Sequence, residues 1–175
     1  SHGGINLFTF ENGNIINKSI KLSQSIMDEI NNNLCIIFSG IFRNSADQAL
    51  STTRKRTDNH SKILNAGAES AIKLAQNIEN AKSSDEIIKL IAGSFNESME
   101  TKIQFETNKH LHDTLFTQYK DILESGSQGA KLCGAGGGGF FVVIADKEAQ
   151  AKLTNKFQSV IPIQIVKEGI KTWEV

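Results

Sequence analysis

The chain of 175 residues carries 19 Lys+Arg against 19 Asp+Glu, a formal net charge of zero. This balance leaves no domain-wide basic excess to draw nucleic acid or an anionic membrane, and no apolar run approaches the roughly 20 residues that span a bilayer. With 39% hydrophobic and 22% charged residues, the composition is that of one globular domain, or a domain with a small appendage, long enough to bury a core.

In chain order, Ser1-His2 reads as the scar of a cleaved tag, and strand-like sequence follows at once, without a methionine. This abrupt opening is expected of a piece of a longer protein. Ile5, Leu7 and the run to Phe10 largely alternate apolar with polar residues, the period of a half-buried strand. Asn12-Gly13 is a hairpin turn signal, and Ile15, Ile16, Ile20 and Leu22 resume the extended pattern. Residues 24–32 fit either a short helix or a connection. Leu34 to Phe38 is a continuous apolar run of strand length, as in a central strand covered on both faces, and Ser39-Gly40 ends it.

The middle of the chain reads as helical, with a single proline in the whole sequence. Residues 43–61 predict a solvent-facing helix. Leu64, Ala68, Ala71, Ile72, Ala75 and Ile78 draw one helical stripe,. Ser83 and Glu86 have capping-box spacing before Ile87, Ile88, Leu90 and Ile91,. Leu111, Leu115, Phe116, Tyr119, Ile122 and Leu123 mark a further helix over 109–124. Strands are then expected at 130–133, 140–144 and 161–166, with a helix over 146–157 between the last two. Pro162 suggests an edge position or a strand start. Trp173 falls in one more expected strand. Strands alternating with helices in this way predict an α+β fold, a ferredoxin-like split β-α-β sheet with additional covering helices.

Two cysteines, Cys35 and Cys133, sit in or beside apolar runs. Both are expected to be free, buried thiols in a reducing, cytoplasmic setting. No His and acidic residues stand at metal-ligand spacing, so no metal site is predicted.

The most informative stretch is Gly129 to Ala145, GAKLCGAGGGGFFVVIA, with five glycines between Gly134 and Gly139. It spells G-x-G-x-x-G at Gly134, Gly136 and Gly139. A dinucleotide fingerprint must open a helix, whereas Phe140-Phe141-Val142-Val143-Ile144 is strand-prone. A P-loop needs Gly-Lys-Ser/Thr at its end, and here two phenylalanines follow. A tight hairpin needs one or two glycines, not five. The remaining reading is a strand–loop–strand turn whose bare backbone comes close to an anion or another loop.

Lys131 to Phe141, KLCGAGGGGFF, closely resembles the third signature motif of the GHMP small-molecule kinases, and is nearest to the branch acting on D-glycero-D-manno-heptose 7-phosphate. Gly3 to Phe8 is similar to the G-G-F-N strand of that branch, and Phe38 to Ser45 to its T-G-x-x-R-x-S segment. Asn96-Glu97-Ser98 with Lys102 resembles its H-E-x-W-x-x-K helix, with Met99 in place of tryptophan. The resemblance implies a C-terminal kinase lobe over 31–175, with 3–30 a hairpin and connection belonging to an absent N-terminal lobe. That absent lobe would carry the main phosphate loop and the catalytic aspartate, so no catalytic residue is expected in this chain. ATP and Mg2+ are the implied cofactors, a sugar or sugar phosphate the implied substrate, and the absent lobe the implied partner. Gly134, Ala135, Gly136, Gly137, Gly138 and Gly139 would support the ATP phosphate loop. Arg43, Lys131 and Lys102 are candidates for substrate binding. Arg43 is equally readable as a solvated arginine, Lys131 as an exposed strand lysine, and Lys102 as part of a solvated helix face. The reading from another class is a stand-alone ferredoxin-like module that binds or senses a ligand without catalysis.

Overall fold

A computed structural model describes residues 2–42, 58–105, 108–134 and 137–169. The chain opens with a hairpin. Strand β1 (Ile5–Glu11) pairs antiparallel with β2 (Asn14–Ile20), from Ile5 opposite Ile20 to Glu11 opposite Asn14. Asn12 (φ 49°) and Gly13 (φ 80°) form the turn. Positive φ at both positions is the type I′ requirement that Asn-Gly meets.

Helix α1 (Gln24–Asn32) resolves the ambiguous segment. Ser23 caps it by accepting a hydrogen bond from the Ile26 amide, which supplies a partner for an amide the first turn leaves unpaired. Strand β3 (Leu34–Phe38) follows. Helices α2 (Asp58–Asn80), α3 (Ser84–Phe105) and α4 (Lys109–Glu124) come next. Then come β4 (Gly129–Leu132), β5 (Phe140–Ile144), helix α5 (Lys147–Lys156) and β6 (Val160–Pro162). Ser83 caps α3 through the Glu86 amide, as its spacing predicts. The reciprocal half is displaced by one residue, because the Glu86 carboxylate takes the Lys82 amide. Asn108 and Asp146 cap α4 and α5 in the same manner.

The four strands from β3 onward form one antiparallel sheet in the order β4-β5-β3-β6. With β3 and β5 central and β4 and β6 at the edges, this is the ferredoxin-like split arrangement the sequence predicts. Strand alternation sorts the side chains to two faces. On one face Cys35, Ile37, Phe141, Val143, Ala130 and Leu132 pack with Leu115, Tyr119 and Ile122 of α4 and Ala149 and Leu153 of α5. On the other, Leu34 and Ile144 pack with Ile30 of α1, Ala75 and Ile78 of α2, and Ile87, Ile88 and Ala92 of α3. The hairpin adds Ile20, Ile5 and Leu7 to this second cluster. β3 is thus covered on both faces, which is why it reads as an unbroken apolar run.

Two expectations are corrected. The last strand ends at Pro162 rather than 166. The reason is the length of its neighbour: Ile163 still donates to the Leu34 carbonyl, and β3 begins at Leu34. Beyond that point the Asn31 side chain replaces the ladder, binding the amide and carbonyl of Ile165. The apolar stripe of α2 is only half buried. Ala75 and Ile78 are buried, whereas Ala68, Ala71 and Ile72 are exposed. Periodicity defines a face but not how far the neighbouring elements extend along it. Most of the helix expected over 43–61, and Trp173, lie outside the described residues.

Candidate functional site

The glycine loop joins β4 to β5 at one end of the sheet. Its described glycines, Gly134 (φ 71°), Gly137 (φ 74°), Gly138 (φ 122°) and Gly139 (φ 94°), all adopt positive φ, a region closed to most L-residues. The ladder runs up to the loop, with the Cys133 amide donating to the Phe140 carbonyl and the Ser39 amide to that of Gly139. The Gly139 amide then donates to the Ile41 carbonyl. At Gly138 a Cβ would stand 2.7 Å from both the carbonyl oxygen and Cγ2 of Ile41. The absence of a side chain therefore lets the loop close onto the 39–42 turn at the end of β3. Two segments singled out from the sequence, one leading to Arg43 and the other the glycine run, meet here. Arg43 itself lies outside the described residues, as do Ala135 and Gly136.

Helix α3 braces the other side of the loop. β4 is an edge strand, and its outward amides and carbonyls need partners. Asn96 supplies them at one end, accepting from the Ala130 amide and donating to the Gln128 carbonyl. Lys102 supplies them at the other, donating to the carbonyls of Leu132 (2.5 Å) and Gly134 (2.6 Å). Met99, midway, is buried in the core. The three residues stand at i, i+3 and i+6, one face of a helix. The Asn-Glu-Ser-Met-Glu-Thr-Lys segment thus rides along the strand edge in place of a neighbouring strand. The approach is close: at Gly129 a Cβ would lie 2.3 Å from the Ala92 carbonyl oxygen.

Lys102 is therefore engaged with backbone rather than lying on a solvated helix face. Lys131 points to the opposite face of β4 from Leu132, and its ammonium sits 5.6 Å from the centre of the Phe95 ring, within cation–π range. A participant the sequence reading missed is Gln118 of α4, whose side-chain amide donates to the Ser39 carbonyl at 2.8 Å. The available signal was a polar residue set within the stripe Leu115, Tyr119 and Ile122. Also missed was an aromatic group flanking the loop. Phe38 lies 5.0 Å from Phe42 and 5.1 Å from Phe140, ring centre to centre, and Phe42 is 89% exposed.

The cysteines differ. Cys35 is fully buried, and that burial pushes its thiol up to about 11, so it is protonated and unreactive at neutral pH. Cys133 is half-buried, and the expectation that both thiols are buried holds only for Cys35. Among the described residues, no group of three or more His, Cys, Asp or Glu side chains could hold a metal ion. No described helix is long and apolar enough to cross a membrane. Among the described residues, one shallow concavity lies beside Asp28, Glu29 and Asp146 and another between Gly3–Gly4 and Ile165–Val166.

Residues 55–163 match the family model described as GHMP kinases C terminal. The chain belongs to this family. Among solved structures, it is similar to a Campylobacter jejuni protein provisionally named a sugar kinase (TM-score 0.64, 20% identity), with 99% of this chain and 49% of that one covered. It is also similar to a D-glycero-D-manno-heptose 1-phosphate kinase from Bacteroides thetaiotaomicron (TM-score 0.55, 15% identity, 97% and 45% covered). A third is L. major mevalonate kinase in complex with R-mevalonate (TM-score 0.64, 15% identity, 93% and 50% covered). At these identities the likeness establishes the GHMP C-terminal fold. The chain spans about half the length of these structures. No curated protein sequence matches it.

Proposed function

We propose that this chain is the C-terminal lobe of an ATP-dependent small-molecule kinase that phosphorylates a sugar or sugar phosphate, with a heptose phosphate the favoured acceptor. The observation that carries this reading is the glycine loop. It presents a run of positive-φ glycines beside the turn that leads to Arg43, within a chain of the GHMP family. Two of the similar structures carry sugar-kinase names.

Phosphoryl transfer depends mainly on positioning and on compensating negative charge. ATP supplies the transferred group when bound. The residues from Gly134 to Gly139 fit a supporting role towards its phosphates, because their bare backbone permits close approach and their start lies beside the Lys102 cation. Arg43 is positioned by sequence to grip the acceptor's own phosphate, with the bidentate geometry that guanidinium offers, and Lys131 is a second candidate for the acceptor. The metal ligands and the catalytic aspartate belong to the other lobe, to which the hairpin and connection at 3–30 also belong. The protein acts in the cytoplasm on a freely diffusing substrate.

The decisive experiment is a kinase assay of the full-length protein against a panel of sugars and sugar phosphates. Transfer to a heptose phosphate with Arg43→Ala raising its KM is the expected result. Binding without transfer by the full-length protein would favour a ligand-sensing module. ATP turnover by the 175-residue chain alone would overturn the two-lobe reading.

A further inference from the structure

We propose that Lys102 is a positioning residue, whose ammonium holds the first turn of the glycine loop by binding the carbonyl oxygens of Leu132 and Gly134. Cys133, just past the end of β4, is the last residue on that side held by a ladder-type hydrogen bond, through the Phe140 carbonyl. The two carbonyls that Lys102 takes flank it, one within the strand and one on the first loop glycine. Past that point the described loop is glycine, with no side chain to restrict it, and Gly134 is already in the left-handed region. An ammonium has three donors, so a single side chain can bridge both carbonyls.

The origin of the side chain strengthens the assignment. Lys102 lies in the last turn of α3, where a cation also complements the helix dipole. The same helix is fixed to the far end of β4 by Asn96 and anchored between by buried Met99. The clamp therefore transmits the position of a rigid, packed helix to the loop. On the opposite side, Gln118 holds the Ser39 carbonyl, and the turn beyond it receives the Gly139 amide. The loop is pinned near both ends, from α3 at Gly134 and from the 39–42 turn at Gly139.

The catalytic consequence rests on the kinase reading above, but the clamp itself does not. The test compares Lys102→Met, Lys102→Gln and Lys102→Arg in the full-length protein. Amide hydrogen exchange is followed in a peptide covering 133–140, and kinetics in the phosphoryl-transfer assay. The expected result for Lys102→Met is exchange in that peptide faster by about tenfold or more. A kcat lower by about tenfold to a hundredfold, with the acceptor KM within about twofold, should accompany it. Lys102→Arg, which keeps donors at the same reach, restores most of kcat, and Lys102→Gln falls between. Unchanged exchange overturns the proposal, whatever the activity. So does a tenfold rise in acceptor KM at unchanged kcat, which would make Lys102 a substrate ligand. A full-length protein with no kinase activity would sink the kinase reading while the exchange comparison still decided the clamp.

Discussion

The glycines of this chain do different work, and an added methyl group separates them. Gly93 lies within α3 on ordinary helical backbone, and a Cβ added there would meet nothing within 4 Å. Gly93→Ala is expected to stabilise the chain by about 0.5–1 kcal/mol, through helix propensity alone. Gly129→Ala would drive a methyl into the Ala92 backbone and is expected to cost about 3 kcal/mol or more. Gly138→Ala meets both a positive φ and the Ile41 backbone, with an expected cost of at least about 2 kcal/mol. Urea denaturation of the three variants checks the order. The buried thiol gives a pH prediction. Cys35 rises from 9.0 to about 11 through burial, so the unfolded chain loses this proton first. The stability it contributes is complete below about pH 9 and lost as pH rises to about 11. Thermal melts should show a steeper fall over that window in the parent than in Cys35→Ala. In the native chain a thiol reagent should label Cys133 and leave Cys35 untouched.

At the scale of elements, α3 is the organising piece. It contributes Ile87, Ile88 and Ala92 to one core, Met99 to the other, and two polar side chains to the β4 edge. Asn96→Ala removes both partners of that edge at Gln128 and Ala130 and is expected to destabilise by about 1–3 kcal/mol, read as a lower urea midpoint. Met99 lies between the two edge contacts and is buried in the same core cluster as Leu132 and Ala130. The element assignments were legible wherever the pattern was long or capped. Asn12-Gly13, the Ser83 cap and the α4 stripe each name their structure locally. Less legible was the burial of α2, since Ala68, Ala71 and Ile72 carry the same periodic signal as Ala75 and Ile78 but meet no described neighbour that covers them. Lys102 and Gln118 were illegible as loop supports for a related reason. Their partners are carbonyl oxygens 30 and 79 residues away in sequence, and a backbone carbonyl has no residue identity to read.

Across the molecule, the hairpin buries only one of its faces, through Ile5, Leu7 and Ile20, and leaves the other open. Phe8 and Phe10 point to one side of β1, and Ile15 joins Phe10 across the register. Phe10 is 74% and Ile15 67% exposed. A two-stranded ribbon is marginal by itself, and an apolar face left open favours association. The 175-residue chain is expected to associate with rising concentration, and Phe10→Lys with Ile15→Lys to reduce it, as read by light scattering.

By itself, the sequence determined the order of strands and helices outside 24–32, the Asn12-Gly13 turn, the central place of Leu34–Phe38 and the family resemblance of the glycine run. These rest on local geometry, on periods of two and 3.6 residues, and on residues with restricted or unusual backbone freedom. Only the tertiary structure decided what the glycines are for and what holds them. Gly129 has to admit the Ala92 backbone and Gly138 that of Ile41. The two braces, Lys102 and Gln118, act on backbone atoms brought within hydrogen-bonding distance only when the sheet forms in the order β4-β5-β3-β6.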